Sequence, residues 1–305
     1  MKVVRGQRGA HSLQSASVAT IGNFDGVHLG HRQLLQQVRA EADRMQAKAV
    51  AILFEPHPAE FFLDEPPARL MTLREKLLPL ELLGVDIVRV LRFNQDLAAM
   101  SANEFIDRIL VNELNVQHLV VGDDFRFGHR RAGDFELLCA DGRFSCEASD
   151  TVTVNGIRVS STAVRLALAN GQFELAAQLL GRPYRLSGKV AHGDKRGRLL
   201  GFPTANLRLK RKTLPLSGVY AVKVMGEGMP ETLGVANIGF RPTVDGKEPR
   251  CEVHLFNFAD DIYGRVIDIE PVQFIRAEQK FSGLDALKAQ ISVDSARAKQ
   301  IFNLT

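Results

Sequence analysis

Two histidines three residues apart, His28 and His31, close the segment Ala19-Thr20-Ile21-Gly22-Asn23-Phe24-Asp25-Gly26-Val27-His28-Leu29-Gly30-His31. In this segment an apolar run gives way to glycines at 22, 26 and 30. Glycines let backbone amides approach an anion closely. A helix starting near His31 would aim its free N–H groups and positive dipole end at the same point. Two imidazoles placed there can donate hydrogen bonds to phosphate oxygens as charge develops in a transition state. The bland reading of the same residues is a tight strand–helix turn carrying surface histidines. Zinc is not expected, because the segment lacks a full ligand set.

A second group lies in Gly193-Asp194-Lys195-Arg196-Gly197-Arg198-Leu199-Leu200-Gly201-Phe202-Pro203-Thr204-Ala205-Asn206. It is not a Walker loop, since GxxxxGK[ST] is absent. Gly193, Gly197 and Gly201 interleaved with Lys195, Arg196 and Arg198 still make a cradle suited to phosphates, or else a basic surface loop. Thr204 and Asn206, two apart, are small oxygen donors that could share one Mg²⁺ with phosphate oxygens. Phosphoryl transfer to a hydroxyl also wants a carboxylate. In Cys251-Glu252-Val253-His254-Leu255-Phe256, strand alternation puts Glu252, His254 and Phe256 on one face. A rim Glu facing solvent is the plain alternative.

The elements that must position these residues fall into two styles. Short β-rich runs at 17–21, 49–54, 86–91 and 118–121 alternate with helical patterns. One helix, about 32–45, puts Leu34, Leu35, Val38, Ala42 and Met45 on one face. This predicts βαβ crossovers around a parallel sheet, with continuous apolar strands such as Val50-Ala51-Ile52-Leu53-Phe54. After residue 182 come alternating runs at 219–224, 251–258, 266–269 and 272–275, broken by Gly and Pro, which predict an antiparallel barrel or sandwich. A last helix is expected over 283–301 with Ser282 as N-cap, and Ser161/Thr162 read as the cap of another helix. The expected fold class is α/β plus β, with domains at 1–182 and 183–305.

Read together, the motifs resemble a known family. His28-Leu29-Gly30-His31 is similar to the HxGH nucleotidylyltransferases, and the longer GNFDGVHLGH resembles the N-terminal module of the bifunctional riboflavin kinase/FAD synthetases. Three further stretches carry the resemblance: Phe54-Glu55-Pro56-His57-Pro58, Val121-Gly122-Asp123-Asp124-Phe125-Arg126-Phe127-Gly128, and Arg158-Val159-Ser160-Ser161-Thr162-Ala163-Val164-Arg165. GFPTAN at 201–206 resembles the PTAN signature of riboflavin kinases. The resemblance implies a Rossmann-like adenylyltransferase domain followed by a β-barrel kinase domain with a terminal helix. It implies phosphorylation of riboflavin by Mg-ATP to FMN, then adenylylation of FMN by ATP to FAD and pyrophosphate. It assigns Glu252 as base, His28, His31 and Arg165 as transition-state stabilisers, and Thr204 and Asn206 as Mg²⁺ ligands. Gly22, Phe24, Gly26, Gly30, Asp124, Arg158, Ser161 and Thr162 would bind nucleotide in the first domain, and Gly193, Lys195, Gly197, Arg198 and Gly201 in the second. Phe202 and Arg276 would contact flavin. His57 reads as a turn residue, outside catalysis. Asn257 stands where the family has Asp, which removes any ionic role there.

Composition bounds these readings. The chain has 305 residues, 45% of them apolar and 24% charged, an ordinary globular balance. No stretch approaches the roughly 18 apolar residues of a membrane helix. The basic start lacks a signal-peptide core, so a cytoplasmic enzyme with no membrane partner is expected. Three scattered cysteines exclude a disulfide framework; Cys139 and Cys146 read as ordinary buried thiols. The net charge of +4 is uneven: residues 1–182 hold 20 basic and 22 acidic groups, residues 183–305 hold 19 and 13. Nine of those 19 lie in 185–212, beside one acid. That segment also suits a nucleic-acid binder, but Phe202 is its only aromatic, so no nucleic-acid partner is expected. A different HxGH adenylyltransferase, of the pantetheine-phosphate or nicotinate kind, would leave the PTAN segment and Glu252 without a purpose.

Overall fold

The computed structural model describes residues 1–6, 12–192, 201–243 and 246–304. Its contacts divide into two units: Met1–Pro67 with Leu73–Ser161, and Ala68–Thr72 with Thr162–Thr305.

The first unit is built on a six-stranded parallel sheet, order β1-β4-β3-β2-β5-β6. Its strands are β1 (Lys2–Arg5), β2 (Ser17–Ile21), β3 (Lys48–Glu55), β4 (Ile87–Arg92), β5 (Val116–Gly122) and β6 (Ser145–Ser149). All five residues of β2 are buried, as a strand covered on both faces requires. The helices are α1 (Leu29–Arg44), α2 (Pro58–Phe62), α3 (Leu73–Leu82), α4 (Gln95–Ala99), α5 (Ala102–Phe105) with a π-helical continuation Ile106–Val111, and α6 (Phe135–Ala140). Helix α1 buries Leu34, Leu35, Val38 and Ala42, the expected face. One core runs through Ala19, Val50, Leu119 and Val121 into Phe105, Ile106, Leu110, Leu138 and Phe144. A two-residue ribbon, β7 (Thr153–Val154) with β8 (Ile157–Arg158), follows β6.

The second unit opens with α7 (Ser161–Ala169, from Thr162 on) and α8 (Phe173–Leu180). Helix α8 stops at Gly181, whose φ of 70° is the left-handed cap that glycine adopts without strain. A closed antiparallel barrel then runs β10-β13-β12-β11-β14-β9. Its strands are β9 (Leu186–Ala191), β10 (Ala205–Arg208), β11 (Gly218–Gly226), β12 (Met229–Thr243), β13 (Gly246–Leu255) and β14 (Val266–Arg276). Register puts Leu207, Tyr220, Ala236, Ile238, Cys251 and Val253 on one face, all buried. On the other face, Val219, Ala221 and Val235 pack with Phe256 and Ala298 of the last helix, α9 (Leu284–Ile301). Among the described residues, no helix is long and apolar enough to cross a membrane.

Four expectations are corrected. The runs at 266–269 and 272–275 are one strand. Gly283, with no side-chain cap bond, precedes α9, so Ser282 is not its cap. Ser161 is the first helical residue of α7, and its hydroxyl donates to the Asp25 carbonyl at 2.8 Å rather than capping. The run at 251–258 ends at Leu255, before Asn257 turns the chain at φ 53°, a left-handed conformation Asn tolerates better than most; Phe256, beyond the strand, still packs on the face of His254, as expected.

Residues Ala68–Thr72 are fastened inside the second unit by polar side chains. Buried Arg211 donates from Nη1 to the carbonyls of Arg69 (3.1 Å) and Leu70 (2.8 Å) and to the Tyr184 hydroxyl (3.0 Å). The Tyr184 hydroxyl itself donates to the Leu70 carbonyl at 3.2 Å. Removing a buried guanidinium strips several acceptors at once. Arg211→Ala is therefore expected to lower stability by about 2–4 kcal/mol, read as a lower urea midpoint by circular dichroism; an unchanged midpoint would refute this fastening.

Candidate functional site

Strand β2 ends at Ile21, and the chain turns through residues 22–28 before α1 begins. Two non-glycine residues in that turn take left-handed backbone angles, Phe24 (φ 48°) and Val27 (φ 43°), beside Gly26 (φ 89°). A β-branched residue there is a strained outlier, and such strain persists only where the surroundings enforce it. The surroundings do so from two sides. Buried Lys76 of α3 donates from Nζ to the Asn23 carbonyl at 2.7 Å, and Ser161 Oγ holds the Asp25 carbonyl.

His28 caps α1: its Nδ1 accepts the His31 amide at 3.3 Å. The two imidazoles stack, centroids 3.5 Å apart and planes within 15°, and Phe24 meets the His31 ring edge-on at 5.1 Å. Gly30 allows this. A Cβ there would stand 3.3 Å from His28 Nδ1 and 3.7 Å from the Val159 carbonyl. Burial, and then the nearby His28 and Lys76, pull the His31 pKa well below 6.5. The free site thus holds a neutral His31.

These residues line a cleft of about 310 Å³ at the carboxyl ends of β2, β5 and β6, where open parallel sheets bind ligands. Gly22, Phe24, His28, Gly30, His31, Asp124, Arg158 and Ser161 all line it. Gly26 is buried in the turn beneath. Thr162 and Arg165 belong to the second unit, where Arg165 Nε donates to the Ala68 carbonyl at 2.5 Å. Asp123, which the sequence did not single out, organises the opposite wall. It accepts from Thr151 Oγ1 at 2.8 Å and from Arg158 Nη2 at 2.7 Å, and these bonds hold its pKa below the usual carboxylate range, the Thr151 hydroxyl first. Asp124 stays exposed, 3.5 Å from Arg158. Two cleft residues keep a buried polar atom with no partner among the described residues, His31 Nδ1 and Ser149 Oγ. His57 caps α2, accepting the Ala59 amide at 3.0 Å, as its turn reading implies.

On the barrel, Asn206 of β10 and Asn237 of β12 flank Glu252 of β13 on either side in register. All three therefore share the face opposite buried Cys251 and Val253. Glu252 is half-buried and paired with Arg250. It lies on the outer face, away from the apolar residues that fill the barrel. Thr204 precedes β10 in a segment held against β13: His254 Nδ1 hydrogen-bonds the Pro203 carbonyl at 2.9 Å, and Phe202 meets the His254 ring edge-on at 5.4 Å. Arg276 makes a bidentate pair with buried Asp294 (2.7–3.1 Å) and lies over Phe281, fastening α9 to β14. Gly193, Lys195, Gly197 and Arg198 lie outside the described residues; Gly201 has φ 85° and open space around it. Cys251 is buried, its thiol pushed up to about 12 by burial, but Cys139 is exposed and Cys146 only partly covered, correcting their reading as buried thiols.

Comparison with known proteins gives two family matches: FAD synthetase over residues 10–163 and riboflavin kinase over residues 180–302. Proteins named bifunctional riboflavin kinase/FMN adenylyltransferase are similar along the whole chain. That of Escherichia coli K12 is 50% identical, covering 100% of this chain and 99% of its own. That of Haemophilus influenzae is 46% identical, covering 99% and 100%. That of Pseudomonas fluorescens is 50% identical, covering 99% and 98%. A crystal structure from Streptococcus pneumoniae titled as a macrolide-efflux protein matches with TM-score 0.78 and 31% identity over 93% of both chains.

The depressed His31 pKa has a consequence for stability. Between 6.5 and its folded value, the unfolded chain binds a proton that the folded one does not. Stability is therefore lost as pH falls through that window, by up to about 1.4 kcal/mol per pH unit. Replacing the imidazole by a side chain that does not titrate, His31→Gln, should shrink the loss between pH 7 and 5.5, measured by urea unfolding. Equal losses in both proteins would refute a neutral His31.

Proposed function

The chain belongs to the bifunctional riboflavin kinase/FMN adenylyltransferase family, and we propose how its residues divide the two reactions, phosphorylation of riboflavin to FMN and adenylylation of FMN to FAD. Adenylylation is assigned to residues 1–182 and phosphorylation to residues 183–305. The two family matches, which part between 163 and 180, support this division.

The observation that carries the first assignment is the stacked His28/His31 pair at the start of α1, inside the cleft. ATP phosphates lie against the α1 N-terminus, where free N–H groups and the dipole favour anions. An FMN phosphate oxygen attacks the α-phosphorus in line and pyrophosphate leaves. The attacking group is already anionic, so no base is needed. The protein supplies positioning and charge stabilisation. His28 and His31 donate to the oxygens on which charge builds, and the unpartnered His31 Nδ1 and Ser149 Oγ are polar atoms that a bound nucleotide can satisfy. Arg158, oriented by Asp123, adds a cation on the far wall. Thr162 and Arg165 join as phosphate ligands on the family motif alone. Phe54, Phe61 and Phe62 each meet Phe93 edge-on, and Phe61 meets Phe62, at 5.1–5.9 Å near the end of β3, offering an aromatic surface for a planar ring.

For the second reaction the supporting observation is the cross-strand row Asn206–Glu252–Asn237. Glu252 is placed to orient the ribityl hydroxyl and take its proton. The donor set fits a magnesium ion: Thr204 and Asn206 are hard oxygen ligands, and neither side chain has a partner among the described residues. Bound there, the ion would neutralise phosphate charge. The 193–201 loop is assigned to the phosphates on its glycines and basic residues. A closed barrel keeps Glu252 and Asn206 in fixed register, and His254 fixes the Pro203 backbone ahead of Thr204. Phe202, beside His254, is proposed against the flavin. Arg276 is already engaged by Asp294, so its contribution to a flavin pocket is to hold α9.

Chromatography of the products from riboflavin plus Mg-ATP tests the division. Glu252→Ala should lower FMN formation by about 10²-fold or more while added FMN is still converted to FAD. The double variant His28→Ala/His31→Ala should do the reverse and let FMN accumulate, with adenylylation down at least about 10²-fold. If either variant loses both activities equally while still folded, the division of labour is wrong.

A further inference from the structure

Beside the Asn206–Glu252–Asn237 row, the outer face of the barrel carries a row of like charges. Register sets Lys189 of β9 opposite Arg208 of β10, and Arg208 opposite Arg250 of β13. Partners in a ladder share a face. Alternation puts this face outside, because the neighbouring Val190, Leu207 and Cys251 are buried in the barrel. Side chains directly opposite each other start only about 5 Å apart, so three cations in line repel one another and weaken an empty sheet. Lys189 and Arg208 are exposed, and neither makes an ion pair among the described residues.

The two ends of the row differ. Past Lys189 it meets apolar Val266 of β14. Past Arg250 it meets Gly239 of β12, where the Glu278 carboxylate, accepting from Ser217 Oγ at 3.2 Å, fills the space a Cβ would take. Arg250 also donates from Nη2 to Glu252, the next outward residue of its own strand. Arg250 is thus flanked by two carboxylates, while the Lys189–Arg208 end has none. Two other acids on this face, Glu248 and Asp268, lie two residues off the row, and Asp268 is engaged by Ser187.

We propose that Lys189, Arg208 and Arg250 form a binding site for a phosphate-bearing anion, distinct from the Thr204/Asn206 site and coupled to Glu252. Arg208 follows Asn206 by two residues and Thr204 precedes it by two, so the row and the residues assigned to magnesium stand on opposite sides of Asn206. A phosphate dianion offers several acceptor oxygens to the guanidinium forks and to the lysine, and its charge cancels their repulsion. In the empty protein Glu252 is the stand-in anion for Arg250. An anion in the row competes for the same Nη2 group and leaves the Glu252 oxygen to the ribityl hydroxyl. Filling the row should therefore speed phosphorylation of riboflavin. That consequence rests on the role proposed for Glu252; the binding does not.

The test uses the intact chain. The Nε–Hε magnetic resonance signals of Arg208 and Arg250, assigned by their loss in Arg208→Gln and Arg250→Gln, report on the row itself. Inorganic phosphate, titrated at constant ionic strength against chloride, should move both signals along one saturating curve. Lys189→Gln should weaken that binding about threefold, the weight of one exposed charge contact. Shifts that never saturate, or that ignore Lys189→Gln, are general screening by salt and would overturn the site. ADP without magnesium is the second arm. A tighter curve on the same two signals assigns the site to the phosphate chain of a nucleotide, and a weaker one assigns it to free phosphate. At saturating Mg-ATP, phosphate should raise FMN formation about twofold or more in the unaltered chain and leave Arg208→Gln unmoved. Binding without a change in rate would overturn the coupling to Glu252. If Glu252→Ala still forms FMN at the full rate, the role of Glu252 fails, and the resonance titration still decides the site.

Discussion

Two imidazole rings stacked 3.5 Å apart, one of them desolvated, cannot both carry a proton until an anion arrives to compensate them. Much of the first unit's local structure serves that stack. Gly30 leaves room for the His28 ring, the His28 ring caps the helix that begins beneath it, and left-handed Phe24 and Val27 bring the turn round so that Phe24 closes on the His31 edge. Lys76 adds a cation that keeps His31 neutral and, through the Asn23 carbonyl, fixes the turn that would otherwise relax its strain.

The barrel solves its positioning problem by closure rather than by strain. Each strand of a closed sheet is fixed in register by two neighbours, and a one-residue slip would turn Glu252 inward and Cys251 outward. That slip would put a charge among Leu207, Ala236 and Ile238, so the apolar packing itself enforces the outward placement of Glu252 between Asn206 and Asn237. The same outer face is covered elsewhere by α9, locked down through Arg276 and Asp294. Open and covered parts of one face therefore separate the Asn206–Glu252–Asn237 row from the support.

Signals local in sequence were legible. The runs at 17–21, 49–54 and 118–121 each lie in a strand of the sheet, and that at 86–91 matches β4 but for Asp86. Strands β1 and β6 were not read, because both are edge strands with exposed or polar residues, Lys2-Val3-Val4-Arg5 and Ser145-Cys146-Glu147-Ala148-Ser149. The same distinction holds in the sites. His28 and His31 are three residues apart and show their chemistry by spacing. Asp123, Thr151 and Arg158 meet across 28 to 35 residues, and Lys76 reaches Asn23 across 53. No periodicity announces such pairs. Ser282 misled as a cap because Ser is a good cap in isolation, whereas the helix begins one residue later, after Gly283.

The uneven charge separates the two sites further. A half with 20 basic and 22 acidic groups offers an anion no long-range attraction, so on the assignment proposed above recognition of ATP there comes from short-range donors: backbone amides at α1, two imidazoles and the braced Arg158. The barrel half, with 19 basic and 13 acidic groups, carries its excess on the segment that holds the phosphate motif. On the same assignment, a histidine that gives its proton back as pyrophosphate leaves weakens its own grip, which eases release from a wall that also carries the fixed Arg158.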